Sequence, residues 1–199
     1  YFYKFSRQLA TEVERIAGDR YNVDVQITKG SVNNSELLRR GDVDVGIIAI
    51  GSVQMQNLKL VAPLFHDYAH LVVRKDVRAS SLRDFEGIPF SISRQGSGNR
   101  SNATNLLNFF NVDISSMPGN ERSYSALETD DDLRGAIVTT TLLNPGLKDL
   151  LYTGEYRLMS LTSMDGFTFN NPFYVQETIP AGVYQSVNGP IPVEPIETI

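Results

Sequence analysis

One pattern occurs twice in this sequence: a short apolar stretch, a glycine–serine loop and then an amphipathic helix. In the first copy, apolar and polar residues alternate over residues 23–28 as in a strand, and Gly30 and Ser31 follow. In the second copy, an expected strand over residues 89–93 leads into Gly96-Ser97-Gly98 and a helix with its apolar residues on one face. Strands that alternate with helices predict an α/β fold with largely parallel sheets.

The remaining elements fit this order. Phe2, Phe5, Leu9, Val13 and Ile16 recur at helical spacing and predict an amphipathic first helix. Asn33 and Glu36 resemble a capping box at the start of a second helix that ends at Gly41, and Asn144-Pro145 predicts another helix start. Further strands are expected over residues 44–50, 58–64, 70–74, 136–140 and 157–161. Five of the nine prolines lie beyond residue 171, so an extended, helix-poor tail is expected.

Composition excludes several classes of function. The chain has no cysteine, which excludes a disulfide framework, a thiolate nucleophile and cysteine-bound metal. Its 23 acidic against 18 basic residues argue against a nucleic-acid partner and favour small solutes. The longest apolar run, over residues 45–50, is far shorter than the roughly 20 residues of a membrane-spanning helix.

The second glycine–serine loop is the strongest candidate for binding. A glycine-rich turn from a strand into a helix leaves the first N–H groups of the helix free to hold an anion. Gly96, Ser97 and Gly98 fit this design, and Asn99 adds a side-chain donor. Arg94 or Arg100 could pair with a carboxylate, whereas the competing interpretation of Gly-Ser-Gly is a plain turn.

Enzymatic chemistry is not supported. His66 and His70 have metal-ligand spacing only if they lie on a helix, and the following Leu71-Val72-Val73 indicates a strand. Both histidines are therefore expected to form hydrogen bonds near the junction of two lobes, and we expect neither metal nor cofactor. Ser97 lacks a nucleophile elbow and an obvious histidine partner, so the protein is not expected to be an enzyme.

A resemblance to a known family extends over nearly the whole chain. Its motifs lie at residues 3–9, 28–34, 70–76, 95–98, 144–145, 172–175 and 178–184. In order and spacing they resemble the TAXI-family solute receptors of TRAP transporters. The resemblance implies a two-lobed, type 2 periplasmic solute-binding protein that captures a small carboxylate or amino acid, such as glutamate or a dicarboxylate. It also implies delivery of that solute to the membrane subunits of a TRAP transporter.

Some positions depart from the family. Lys29 stands where a second glycine is usual, and Asn99 replaces a threonine, so the resemblance does not identify the ligand. Both ends are expected to be truncated relative to family members. A ligand-sensing domain of a membrane-bound signalling protein is the alternative function. The full-length protein is expected to be periplasmic or extracytoplasmic, either free or membrane-anchored.

These considerations predict a specific division and a specific site. Residues 1–70 with 176–199 are expected to form one discontinuous lobe, residues 76–170 the other, and 71–75 and 171–175 the hinge crossovers. The expected ligand contacts are Tyr3, Gly30, Ser31, Asn34, Arg94, Gly96, Ser97, Gly98, Asn99, Thr139, Thr140 and Tyr174. Tyr3 and Tyr174 are expected as aromatic walls and Arg94 as the carboxylate partner.

Overall fold

The fold is known from a computed structural model that describes residues 2–199, and it mixes five α-helices with eight strands among those residues. The helices are α1 (Phe2–Ala17), α2 (Ser31–Arg40), α3 (Gly98–Phe109), α4 (Pro145–Tyr152) and α5 (Asp165–Asn170). The strands are β1 (Tyr68–Arg74), β2 (Phe90–Ser91), β3 (Gly135–Thr140), β4 (Tyr156–Met159), β5 (Glu177–Ile179), β6 (Tyr184–Ser186), β7 (Gly189–Ile191) and β8 (Ile196–Thr198). None of the helices is long and apolar enough to cross a bilayer.

The central sheet has the strand order β2-β3-β1-β4. Only β2 and β3 run parallel, because β1 is antiparallel to both of its neighbours, β3 and β4. The prediction of largely parallel sheets was therefore wrong. Strand order depends on pairings between distant parts of the chain, and β1 pairs with β3 across more than 60 residues, a relationship that local patterns do not report.

Apolar side chains cover both faces of this sheet. Leu71 and Val73 of β1 pack into one buried cluster that contains the apolar face of α3. Val72, between them, packs into a second cluster with the apolar face of α4 and with Tyr184. The alternation follows from the two-residue period of a strand, and it fixes β1 as a strand buried on both faces.

The tail after residue 171 is extended, as the prolines predicted, and it packs against the central sheet. β5 pairs with β8 and β6 with β7, both antiparallel. The amide of Ala69 donates to the carbonyl of Ile199 (2.9 Å), and the Thr198 hydroxyl donates to the carbonyl of Ala69 (2.5 Å). These bonds hold the end of the chain beside the start of β1.

The first part of the chain has the predicted helices but not the predicted strands. No strand occurs between residues 2 and 67, so the strands expected over residues 23–28, 44–50 and 58–64 were wrong. Their apolar side chains are exposed in part, with Ile27 at 78%, Val45 at 71% and Val61 at 85%. A strand requires a neighbouring strand to which its backbone is hydrogen-bonded, and these stretches pair with no other strand among the described residues.

Two helix starts show how local chemistry sets the boundaries. α4 begins as predicted, since the Asn144 side chain accepts a hydrogen bond from the amide of Leu147 (3.3 Å). α2 begins two residues before the expected cap, because Gly30 is its N-cap and Asn33 lies inside the helix. The Asn33 side chain instead accepts from the amide of Lys29 (3.2 Å), which fixes the turn before the helix.

Candidate functional site

The two glycine–serine loops lie in direct contact. A Cβ placed on Gly30 would lie 3.2 Å from the Cα of Ser97, and one placed on Gly98 would lie 2.5 Å from the Oγ of Ser31. Gly30 also has a φ of 119°, a backbone conformation that residues with a Cβ atom rarely adopt. The structure thus brings Gly30 and Ser31 together with Gly96, Ser97 and Gly98, and glycine is what permits the contact.

Two helices begin at this contact. The N-cap of α2, Gly30, provides no side-chain cap, and neither α2 nor α3 has an acidic residue in its first turn. Within residues 2–199, no acceptor bonds the backbone amides of Ser31, Val32, Gly98 and Asn99. Each helix also carries a partial positive charge at this end. The junction therefore concentrates unpaired donors and positive potential.

Two cationic side chains flank the junction. Lys29 lies beside the second loop, since a Cβ on Gly96 would lie 3.5 Å from the Cβ of Lys29. Arg94 is exposed at the start of that loop, and its backbone carbonyl accepts from the amide of Ser97 (3.3 Å). Neither Lys29 nor Arg94 forms an ion pair within residues 2–199. The Glu121 carboxylate also lies at this loop, where it accepts from the Gln95 side chain (3.2 Å), so two cations and one carboxylate flank the junction.

Ser31 and Ser52 tie a further segment to the junction. The buried Ser31 hydroxyl accepts from the amide of Ala49 (3.0 Å), and the Ser52 hydroxyl donates to the carbonyl of Ala49 (2.6 Å). A Cβ on Gly98 would lie 3.3 Å from the Ser52 Oγ, so this hydroxyl also faces the loop contact. Ser52 was not predicted from the sequence, since it lies outside any predicted helix start.

Asn99 joins the second loop to the central sheet. Its side-chain amide donates to the carbonyl of Ile137 (2.9 Å) and to the Ser93 hydroxyl (3.0 Å), and its Oδ1 accepts from the amide of Thr139. From the sequence, the Asn99 side chain is expected to donate to a ligand. In the structure its side chain is engaged by the protein, and its backbone amide is the free donor.

Ser97 and Arg100 also stabilise the loop from within. The Ser97 hydroxyl caps α3 by accepting from the amide of Arg100 (3.1 Å) and donates to the carbonyl of Arg94 (2.9 Å). The Arg100 guanidinium donates to the carbonyl of Ser93 (2.9 Å) and to the side chain of Asn120 (3.0 Å). Arg100 is therefore a structural residue, and Arg94 is the arginine left free at the loop.

The end of β3 contributes one unpaired hydroxyl. Thr139 Oγ1 is buried and has no hydrogen-bond partner among the described residues. Thr140 differs, because its hydroxyl accepts from the Asn144 side chain (3.0 Å) and so helps to place the start of α4. A buried hydroxyl without a partner is energetically costly, so Thr139 is the better of the two for contact with a ligand.

Tyr174 links α3 to the chain near Gly51. Its hydroxyl accepts from the Asn105 side chain (3.1 Å) and lies 2.8 Å from Asn102 Oδ1 and 3.3 Å from the carbonyl of Gly51, one of which accepts its proton. Burial raises the pKa of Tyr174, which keeps it a neutral donor. Asn102 and Asn105 were not predicted from the sequence, although their spacing of three residues places both on one face of α3.

Two other predicted contacts, Tyr3 and Asn34, form no side-chain hydrogen bond with Gly30, Ser31 or residues 96–98 within residues 2–199. Tyr3, on α1, is 42% exposed and forms no hydrogen bond or ring contact with the described residues. Asn34 accepts from the Thr28 hydroxyl (2.5 Å) and donates to the carbonyl of Ile47 (2.7 Å), which makes it a support of the first loop.

The two histidines have different environments. His70 is fully buried in β1, with Nδ1 2.9 Å from the carbonyl of Tyr68 and Nε2 2.8 Å from the Tyr184 hydroxyl. Burial lowers the pKa of His70 to about 4, so it is neutral near pH 7. His66 is exposed. Within residues 2–199, no three His, Asp or Glu side chains are grouped as metal ligands.

Comparison with protein families gives one match. The family model described as the NMT1-like family matches residues 1–199, the full length of the chain. No curated protein matches the sequence.

Proposed function

Because the chain belongs to the NMT1-like family, a periplasmic-binding-protein-like family, we propose that it binds a small anionic solute where the two helix N-termini meet. Proteins of this family are typically extracytoplasmic and bind small molecules, and the family is not an enzyme type. The solute class is a carboxylate or an amino acid such as glutamate or a dicarboxylate.

The convergence of α2 and α3 carries this proposal. Two positive helix ends repel each other, and an anion between them removes the repulsion and accepts hydrogen bonds from the free amides. Neither first turn contains an acidic residue, so the negative charge that balances the two positive helix ends would come from a ligand. Lys29 and Arg94 would attract the same anion through longer-range electrostatics.

The proposed contacts follow from the geometry. The amides of Ser31, Val32, Gly98 and Asn99 bind the anionic group, and the Thr139 hydroxyl donates to a second acceptor. Arg94 is the proposed carboxylate partner, since its guanidinium is free and lies at the same loop. Gly30 and Gly96 allow the backbones to approach the ligand, while Asn34, Thr140 and Tyr174 support the site, with Tyr3 and Tyr174 retained as aromatic walls of the bound state.

The proposal includes a cycle of capture and release. The proposed lobes are residues 1–70 with 176–199 and residues 76–170, with the segments 71–75 and 171–175 between them. Because β1 lies in the central sheet and the tail packs on it, the proposed motion would displace mainly the part of the first lobe that precedes β1. The contact between Gly30 and Ser97 would then represent the closed arrangement. The proposed partners of the closed, loaded protein are the membrane subunits of a TRAP transporter.

A panel of small carboxylates and amino acids tests the binding proposal. A ligand present at 100 times its dissociation constant stabilises its protein by about 2.7 kcal/mol, which is readily detected as a rise in melting temperature. At least one anionic solute should stabilise the unsubstituted protein and fail to stabilise the Gly98→Val variant. The proposal is contradicted if no anion stabilises the protein, or if the variant responds equally.

A further inference from the structure

Asp67 lies at the same edge of the central sheet as the free donors. β1 pairs with β3 so that Tyr68 is opposite Thr140, which places Asp67 just beyond the end of β3. β2 runs parallel to β3, so the loop that begins at Ser93 leaves the sheet at this edge too. The strand order therefore arranges the glycine–serine loop, Thr139 and Asp67 in that sequence along one edge.

The Asp67 carboxylate is partly buried without compensation. No residue from 2 to 199 donates a hydrogen bond to it or forms an ion pair with it. Burial raises its pKa to about 6. A carboxylate that is partly removed from water is stabilised by hydrogen-bond donors or a cation, and no described residue provides either to Asp67.

The charges around Asp67 do not meet this need. His66, its neighbour in the chain, is exposed, and His70 is buried and neutral near pH 7. Lys29 and Arg94 belong to the loop junction, two strands away along the sheet edge. The site thus has a positive end at the helix N-termini and a negative end at Asp67.

We propose that Asp67 binds the protonated amine of the solute whose carboxylate lies at the two helix N-termini, so that the ligand is an amino acid rather than a simple carboxylate. This inference rests on the proposed function and names the ligand class for the same site. Asp67 is then the residue that selects amine-bearing ligands, with Thr139 between the two ends.

The spacing of the strands agrees with a small zwitterion. The strands that lead to the loop and to Asp67 are two apart in the sheet, a separation of about 10 Å. A separation of two strands is of the order of the length of a small zwitterionic ligand, so one such ligand could reach from the loop edge to Asp67.

Matched ligand pairs test the inference by titration calorimetry. The pairs are L-glutamate with glutarate, L-aspartate with succinate and L-alanine with propionate, which differ only in the amine. At least one amino acid should bind the unsubstituted protein about tenfold or more tighter than its deaminated partner. Asp67→Asn, which keeps the shape of the side chain, should reduce that preference to less than about threefold. Asp24→Asn, at an exposed carboxylate, is the control and should retain the preference.

The outcomes separate this inference from the proposed function. If glutarate, succinate or propionate binds as tightly as its amino acid, or if Asp67→Asn keeps the preference, Asp67 does not select an amine while the anion site stands. If neither member of any pair binds, the anion site itself is wrong and this inference is overturned with it. Asp67→Glu retains the charge and should keep part of the preference.

Discussion

The Oγ of Ser31 occupies the space that a side chain at Gly98 would need. A Cβ at Gly98 would lie 2.5 Å from that oxygen and 3.1 Å from the Cβ of Ser31. These two residues each begin a helix, so their contact sets the distance between the two sets of free amides. The contact joins parts of the chain more than 60 residues apart.

Gly98→Ala should therefore separate the two helix ends. In an open helix, alanine is favoured over glycine by up to about 1 kcal/mol, but here overpacking should destabilise the protein by about 1–3 kcal/mol. Urea denaturation measures this change, and Gly166→Ala is the milder comparison, since a Cβ at that helical position would lie 3.2 Å from the end of the Phe109 ring and not 2.5 Å from a neighbour. An equal or greater stability of Gly98→Ala would show that the loops do not touch in solution.

Arg94→Ala tests the proposed carboxylate partner. The guanidinium is exposed and has no ion-pair partner among residues 2–199, so its removal should leave the stability unchanged. Loss of a charged hydrogen bond to a ligand should lower affinity about 30-fold or more. Titration calorimetry measures the affinity, with Arg78→Ala as an exposed control. Affinity within about threefold of the unsubstituted protein would assign Arg94 to the solvated surface.

Tyr174→Phe should lower the free energy of unfolding by about 1–2 kcal/mol, because it removes a hydroxyl that has three polar neighbours. Tyr152→Phe is a matched control, since Tyr152 is 60% exposed and its hydroxyl has no partner in the described chain. Chemical denaturation of both variants gives the comparison. Equal effects of the two substitutions would mean that the Tyr174 hydroxyl does not hold α3 to the Gly51 segment.

Asp67 and His70 should have opposite effects on the pH dependence of stability. Burial raises the pKa of Asp67 from 3.8 to about 6, so its contribution to stability is present below pH 3.8 and is lost as the pH rises to about 6. Burial lowers the pKa of His70 from 6.5 to about 4, so its contribution is present above pH 6.5 and is lost as the pH falls towards 4.

Asp67→Asn separates the two effects. The variant should gain stability relative to the unsubstituted protein as the pH rises from 4.5 to 6.5, because only the unsubstituted protein then buries a charge at residue 67. Urea denaturation at several pH values gives the difference in unfolding free energy between the two proteins. His70 contributes equally to both, so its effect cancels in this difference. A stability difference that is constant over this pH range would show that Asp67 has an ordinary pKa in the folded protein.

The sequence predicted elements that depend on neighbouring residues. Helical spacing gave α1 and the apolar face of α3, and Asn144 with Pro145 gave the start of α4. The glycines and serines also predicted the positions of both loops, because the preference of these residues for turns and helix caps depends on local sequence.

Relationships between distant residues were not accessible in this way. Alternation over residues 23–28 is a necessary but not a sufficient condition for a strand, since the pairing strand must come from elsewhere. The antiparallel placement of β1 between β3 and β4 was missed for the same reason. Asp67 was also missed, because its burial without a partner follows from strand order and not from its neighbours in the sequence.

The central claim is that one anion binds to both helix N-termini, and nuclear magnetic resonance tests it most directly. A ¹H–¹⁵N titration should use the first carboxylate or amino acid that raises the melting temperature. Binding of one anion should give the largest amide shift changes at Ser31, Val32, Gly98 and Asn99, and both loops should saturate at one common affinity. The claim would be contradicted if Gly98 and Asn99 were unaffected and the large changes were confined to other parts of the chain. One such place is the cavity of about 450 Å³ beside Val32 and Arg39 on the side of α2.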